Sequence, residues 1–193
     1  MTAPLDSAAV RKQGGSTNRF LTASNLLSIL RLLLAAPFSI VMLSGNPSGR
    51  LWGAIIMVMA ALTDKYDGVL ARKYGLTTQW GKVLDPLADK IGVAVVAIIL
   101  LILGNIPLWF LLTLLVRDIL IFSGGIYIRS HKGVILQSNE LGKWTVGIVA
   151  LALFLMVLNA QSILVEIFTW ISTILLVTSF AIYVNRFIEV IKG

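Results

Sequence analysis

Six long apolar stretches take up most of this 193-residue chain and decide what it can fold into. They lie at about 25–43, 51–73, 85–104, 106–128, 143–160 and 163–187. Short breakers such as SGNPSG, GNIP and NAQS separate several of them. Because roughly 20 apolar residues in a helix cross a bilayer core of about 30 Å, the pattern predicts an all-α integral membrane protein with six transmembrane helices.

The composition agrees with this fold class. Hydrophobic residues make up 58% of the chain and charged residues 13%, whereas a soluble domain has roughly 45–50% and about 25%. With no cysteine, the chain can form neither a disulfide framework nor a thiolate metal site. Its net charge of +7 sits mainly in loops on one side of the predicted bundle, so we expect no nucleic-acid partner.

The polar first twenty residues raise the alternative of a secretory signal peptide. The apolar run that follows, Leu26 to Leu43, is about 18 residues long, more than the roughly 7–15 of a signal sequence. We therefore expect a retained first span. Residues 1–20 would form a cytosolic tail, and residues 21–193 a single six-helix transmembrane domain.

Basic residues predict the orientation of the bundle. With the N-terminus inside, eleven of the sixteen lysines and arginines fall in inner segments, and the outer loops hold only Arg50. The eleven are Arg11, Lys12, Arg19, Arg72, Lys73, Lys82, Arg129, Lys132, Lys143, Arg186 and Lys192. Because cytosolic loops of membrane proteins are enriched in Lys and Arg, both termini are predicted to be cytosolic.

Four of the nine acidic residues gather in the segment DKYDGVLARKYGLTTQWGKVLDPLADK, residues 64–90. Asp64 and Asp67 are three residues apart at the end of the second span, and Asp85 and Asp89 are four apart at the start of the third. Each pair therefore shares one helix face near the cytosolic boundary. The four carboxylates could line one cavity.

Such a cluster needs positive charge, because carboxylates repel one another and are costly in apolar surroundings. Oxygen ligands with no histidine or cysteine beside them favour Mg²⁺ or Mn²⁺, and magnesium commonly bridges substrate phosphates. Arg72 is suited to a phosphate contact. Two alternatives are a solvated hairpin whose acids pair with neighbouring lysines, and a cation transporter.

The spacing of eight residues resembles the signature of the CDP-alcohol phosphotransferase family. The pattern is Asp64-x₂-Asp67-Gly68-x₂-Ala71-Arg72-x₈-Gly81-x₃-Asp85-x₃-Asp89. The resemblance implies that an alcohol attacks the lipid-bearing phosphorus of a CDP-linked lipid and that CMP leaves. It also implies a homodimer in the cytoplasmic (inner) membrane, with the active site facing the cytosol.

The resemblance also implies roles for individual residues. Asp64, Asp67, Asp85 and Asp89 would hold two Mg²⁺ or Mn²⁺ ions, and Asp89 would also take the acceptor's proton. The CDP site would be lined by Asp64, Asp67, Gly68, Ala71, Arg72, Thr78 and Gly81. Two such metals can clamp the attacking and leaving oxygens of a displacement.

The acceptor is less constrained. LDPLADK (84–90) looks most like the family members that join CDP-diacylglycerol to glycerol 3-phosphate, and the alternative is cardiolipin synthesis with phosphatidylglycerol as acceptor. Arg117-Asp118 departs from the Arg-Glu usual in the first group. Candidate contacts to the acceptor or lipid phosphate are Asn25, Ser28, Arg31, Arg117 and Lys143. For Arg117 the competing interpretation is an internal ion pair, and for Lys143 a lysine extending to the membrane surface.

Overall fold

Six helices make up the described part of the chain. The structure, a computed structural model, describes the backbone of residues 23–74, 81–132 and 140–192, and the side chains of residues 28–63, 87–131 and 140–192. The helices are α1 (Ala23–Leu43), α2 (Gly49–Tyr74), α3 (Gly81–Ile102), α4 (Leu108–Lys132), α5 (Glu140–Val157) and α6 (Ser162–Lys192). No strand occurs in those ranges. The predicted all-α fold class is confirmed there.

The helices match the six apolar stretches, and the differences lie at polar ends. α3 begins at Gly81, where the apolar run predicted a start near residue 85, and α6 continues to Lys192 beyond the predicted end at 187. With 31 residues, α6 is about 46 Å long and exceeds a bilayer core of about 30 Å. A helix continues past its apolar segment because backbone hydrogen bonding does not require apolar side chains.

Within the residues that the structure describes, three helices are long and apolar enough to cross a membrane, and this protein is therefore a membrane protein. They are Leu108–His131, Glu140–Val157 and Ser162–Lys192. Shorter apolar segments, Ser28–Leu43 and Gly49–Thr63, belong to α1 and α2.

The breakers end their helices through residues with positive φ. Gly104 has φ 71°, and the amide of Asn105 donates to the carbonyl of Leu100 at 2.8 Å. Asn159 has φ 53°, and the amide of Ala160 donates to the carbonyl of Leu155 at 3.0 Å. This six-to-one hydrogen bond after a left-handed residue is the Schellman motif, which glycine and asparagine favour because they adopt that conformation at low cost.

Arg50, the basic residue assigned to an outer loop, joins three helix connections at one end of the bundle. It lies at the start of α2, and its Nη1 donates to the carbonyls of Met156 and Val157 at 3.3 and 3.4 Å. Its Nη2 donates to Asn105 Oδ1 at 3.3 Å. The cation thus binds the last carbonyls of α5, where the helix dipole is negative. The α1–α2, α3–α4 and α5–α6 connections therefore lie at the same end, and successive helices alternate in direction.

The apolar core lies toward this same end. It includes Phe38 and Met42 near the end of α1, Leu100 near the end of α3, Phe110 near the start of α4 and Met156 near the end of α5. α1 packs against α2 and α3, and α6 packs against α4 and α5. The opposite halves of α1 and α3 carry the predicted site residues, so apolar packing and polar chemistry occupy different parts of the bundle.

Close packing of α1 against α2 makes Gly49 a test of this fold. A Cβ atom at Gly49 would lie 2.3 Å from the backbone carbonyl oxygen of Val41, which cannot move as a side chain can. We expect Gly49→Ala to lower the free energy of unfolding by about 1–3 kcal/mol, as overpacking does. Unfolding in detergent micelles, followed by circular dichroism against temperature or denaturant, measures this loss.

The matched control is Gly147→Ala on α5, where an added Cβ meets no atom within 4 Å. Because alanine is the better helix former, this variant should keep the stability or raise it by up to about 1 kcal/mol. Equal stability of the two variants would contradict the packing of α1 on α2.

Candidate active site

The four signature aspartates lie on two helices, as predicted. Asp64 and Asp67 are on α2, and Asp85 and Asp89 are on α3. Of these four, only Asp89 has a described side chain. Six further predicted positions, Asn25, Gly68, Ala71, Arg72, Thr78 and Gly81, also lie outside the described side chains. The backbones of Asn25, Gly68, Ala71, Arg72 and Gly81 lie in helices, as do those of Asp64, Asp67 and Asp85, whereas Thr78 lies outside the described residues altogether. Their roles stay predictions.

Asp89 pairs with Arg31 across the α1–α3 contact. Nη1 of Arg31 donates to Oδ1 of Asp89. Each residue lies eight positions after the start of its helix, about 12 Å along it, so the two meet at the same depth. The arginine side chain is 7% exposed and the aspartate side chain 47%. The carboxylate can therefore be reached by a ligand, while the guanidinium is covered by the protein.

Ser28 is buried one turn before Arg31 on α1. The spacing of three residues puts the two side chains on neighbouring positions of the same helix face. The structure thus brings two of the three α1 candidates into the interior, beside α3.

A second group of charges joins α3, α4 and α6. Nζ of Lys90 lies 3.0 Å from Oδ2 of Asp118, and Nη1 of Arg117 donates to Oδ1 of the same carboxylate at 2.6 Å. Nη2 of Arg117 donates to Oγ of Ser179 at 3.1 Å. The internal Arg117–Asp118 ion pair, one of the two interpretations of this arginine, is therefore present. We call Lys90, Arg117 and Asp118 the α3–α4 charge triad.

The triad carries one net positive charge inside the bundle. Lys90, Arg117 and Asp118 are 29%, 11% and 19% exposed, and two cations share one carboxylate. Nε of Arg117 is buried and has no hydrogen-bond partner among the described residues. Because an unpaired buried donor costs free energy, this group suits an anionic ligand that would accept from it.

Lys143 lies in a different setting. Its Nζ is 2.6 Å from Oε1 of Glu140, one turn earlier on α5, and the two side chains are 62% and 80% exposed. This is a surface ion pair at a helix start, an arrangement worth little stability. The predicted contact between Lys143 and an acceptor phosphate stays a prediction.

The available ligands suit hard divalent cations. In the predicted site four aspartates would supply oxygen donors, and the chain has no cysteine. The ring of its single histidine, His131, stacks on Tyr127 near the end of α4, with Nδ1 3.0 Å from the Tyr127 carbonyl oxygen. Carboxylate oxygens without nitrogen or sulfur ligands fit Mg²⁺ or Mn²⁺ and not zinc.

The site predicted from the sequence omitted Lys90, a member of the triad, and Ser179, which contacts the triad through Arg117. Lys90 follows Asp89 at the start of an apolar run, and a lysine in such a position signals a buried partner. Nothing in the sequence around Ser179 points to Arg117, which is 62 residues away and meets it only because α4 packs on α6.

Comparisons with known proteins agree with the signature. The family model described as CDP-alcohol phosphatidyltransferase matches residues 21–183. A Rickettsia typhi protein named CDP-diacylglycerol–glycerol-3-phosphate 3-phosphatidyltransferase is 32% identical over 158 residues, which cover 78% of this chain and 88% of that protein. A Bacillus subtilis protein of the same name is 34% identical over 131 residues, 62% of this chain and 67% of that protein.

A Mycobacterium tuberculosis protein provisionally named a cardiolipin synthase is 40% identical over 104 residues, 54% of this chain. That match spans about half the length of the mycobacterial relative, 49%. The family model, in contrast, extends over most of the chain and includes both helices of the aspartate signature. The chain belongs to the CDP-alcohol phosphatidyltransferase family.

Proposed function

We propose that this protein transfers the phosphatidyl group of CDP-diacylglycerol to glycerol 3-phosphate, forming phosphatidylglycerophosphate and releasing CMP. The observation that carries the proposal is the accessible Asp89 carboxylate, which is held by buried Arg31 and lies next in sequence to the positively charged triad. The names of the Rickettsia and Bacillus relatives support the same donor and acceptor.

Asp89 acts as the general base. The acceptor's hydroxyl oxygen attacks the phosphorus that bears diacylglycerol, and its proton passes to the Asp89 carboxylate. The bond from that phosphorus to the bridging oxygen breaks, and CMP leaves with the bond's electron pair. Arg31 orients the carboxylate for this transfer, since a base must lie within hydrogen-bond reach of the proton that it takes.

Asp64, Asp67, Asp85 and Asp89 would hold the Mg²⁺ or Mn²⁺ ions. Two such ions, when bound, would neutralise the diphosphate charge and so favour the displacement. The remaining CDP contacts in this proposal are Gly68, Ala71, Arg72, Thr78 and Gly81.

Arg117 binds the phosphate of glycerol 3-phosphate. Its buried Nε has no partner among the described residues, and the triad carries one net positive charge that a phosphate would neutralise. Asn25, Ser28 and Lys143 are further candidate contacts to the acceptor or lipid phosphate. Because arginine offers a planar set of donors, it suits a phosphate better than a lysine at the same position.

The competing acceptor is phosphatidylglycerol, which would make the protein a cardiolipin synthase. Its support is the match to the mycobacterial relative and the Arg117-Asp118 sequence. Both reactions use the same donor and base, so the acceptor alone distinguishes them.

We also propose how the protein lies in the membrane and how it assembles. All six helices span the cytoplasmic membrane, both termini and the active site face the cytosol, and two copies form a homodimer. Nucleotide and glycerol 3-phosphate are soluble while diacylglycerol is not, so the reaction belongs at the cytosolic boundary of the bilayer.

We expect the purified protein in detergent to release CMP from CDP-diacylglycerol in the presence of Mg²⁺ or Mn²⁺ when glycerol 3-phosphate is the acceptor. Phosphatidylglycerol, inositol 1-phosphate and serine, offered singly, should give none. Asp89→Asn should lower kcat by roughly 10²–10⁴-fold, the usual contribution of a general base. Chromatography of the released nucleotide measures the rate.

The control for that substitution is Glu166→Gln, the same acid-to-amide change on an exposed side chain four residues after the start of α6. It should retain wild-type turnover. CMP release with phosphatidylglycerol alone would replace the proposed acceptor, and no release with any acceptor would overturn the proposal.

Arg117→Lys should raise the KM for glycerol 3-phosphate about tenfold or more, since a hydrogen bond to a charged group contributes roughly 1.5–3 kcal/mol. The KM for CDP-diacylglycerol should stay within about twofold because Arg117 does not touch the donor in this proposal. Arg50→Lys, the same change at the opposite end of the bundle, serves as the control. An unchanged KM for glycerol 3-phosphate in Arg117→Lys would contradict the phosphate contact.

A further inference from the structure

Consecutive residues of α3 form ion pairs with two different helices. Asp89 pairs with Arg31 of α1, and Lys90 pairs with Asp118 of α4. Neighbouring residues of a helix project about 100° apart, so the two pairs hold α3 from different sides. The helix that carries the proposed base is therefore restrained in its rotation about its own axis.

Burial makes the Lys90–Asp118 pair resistant to breaking. The two side chains are 29% and 19% exposed, and neither lies at a helix end from which it could reach water easily. Removing one partner of a buried pair leaves an uncompensated charge, which costs on the order of several kcal/mol. A rotation of α3 that separated Lys90 from Asp118 would cost free energy for the same reason.

Asp118 also joins the two proposed functional groups of the site. One carboxylate oxygen, Oδ2, pairs with Lys90 beside the base, and the other, Oδ1, accepts from Arg117. A single side chain on α4 thus touches both the helix of Asp89 and the guanidinium proposed to bind the acceptor phosphate. The acceptor's hydroxyl and phosphate are parts of one small molecule, so the distance between these groups must be constant.

We propose that Lys90 and Asp118 are positioning residues, which set the rotation of α3 and so hold Asp89 at a fixed place relative to Arg117. This inference rests on the proposed phosphatidyl transfer. Neither residue touches the reacting atoms: Lys90 acts through the α3 backbone, and Asp118 acts through Lys90 and Arg117. Because misplacement of a catalytic group by about 1 Å can cost 10²-fold in rate, loss of the pair should appear mainly in kcat.

The first test measures kcat and KM separately for variants of Lys90 and Asp118. Lys90→Met keeps most of the length of the side chain and removes its charge. It should lower kcat tenfold or more with the KM for glycerol 3-phosphate within about twofold. Asp118→Asn should lower kcat similarly and also raise that KM, since it weakens the contact to Arg117. In the double variant, kcat should equal that of the more impaired single variant, because both changes break one pair.

Lys90→Arg is the conservative variant and should keep kcat within about threefold of wild type, since it retains the charge that pairs with Asp118. A kcat for Lys90→Met equal to wild type would overturn the inference. So would a double variant whose loss equals the product of the two single losses. Absence of CMP release by the wild-type protein would instead overturn the proposed function, and the two failures are therefore distinguishable.

A second test detects rotation of α3 by chemical labelling and does not depend on enzyme activity. Ala88 is fully buried, although its neighbour Leu87 is exposed, and the chain contains no cysteine. A single thiol introduced by Ala88→Cys should react slowly with N-ethylmaleimide in the otherwise unchanged protein. Adding Lys90→Met should increase the labelling rate severalfold, whereas adding Lys90→Arg should not. Equal labelling rates of Ala88→Cys with and without Lys90→Met would contradict a role of Lys90 in setting the rotation of α3.

Discussion

A charged side chain inside an apolar helix bundle must have a partner, because removing an ion from water costs several kcal/mol that only pairing and hydrogen bonding can offset. This constraint shapes the half of the described bundle that lies away from Arg50. Arg31 meets Asp89 between α1 and α3, and Asp118 meets both Lys90 and Arg117 between α3 and α4. The pairs join α1 to α3 and α3 to α4, and so add to the restraint that apolar packing gives these helices.

The bundle separates packing from chemistry along its length. At the end where Arg50 joins three connections, large apolar side chains such as Phe38, Phe110 and Met156 fill the space between helices. Arg31, Asp89 and Lys90 lie about 12–14 Å from the opposite ends of α1 and α3. The packed end supplies rigidity, and the paired end can hold charged groups at fixed positions for a phosphorylated ligand. Such preorganisation is what electrostatic catalysis requires.

Much of the fold could be predicted from the sequence, for identifiable reasons. Apolar runs of about twenty residues predict helices because a helix satisfies its own backbone hydrogen bonds. GNIP and NAQS predicted helix ends because glycine and asparagine tolerate the left-handed conformation that Gly104 and Asn159 adopt. The boundaries of α3 and α6 were predicted less well, since polar turns extend a helix without an apolar signal. Six spans and their orientation in the membrane stay predictions.

By itself, the sequence determined the helical class, the family and the positions of the four aspartates on α2 and α3, because these depend on local periodicity and on the spacing within one motif. Only the tertiary structure decided which charges meet. Lys90 meets Asp118, and Arg117 meets Ser179, although 28 and 62 residues separate the partners along the chain. Such contacts depend on which helices pack together and on how each is rotated, and side-chain packing over the whole bundle sets both.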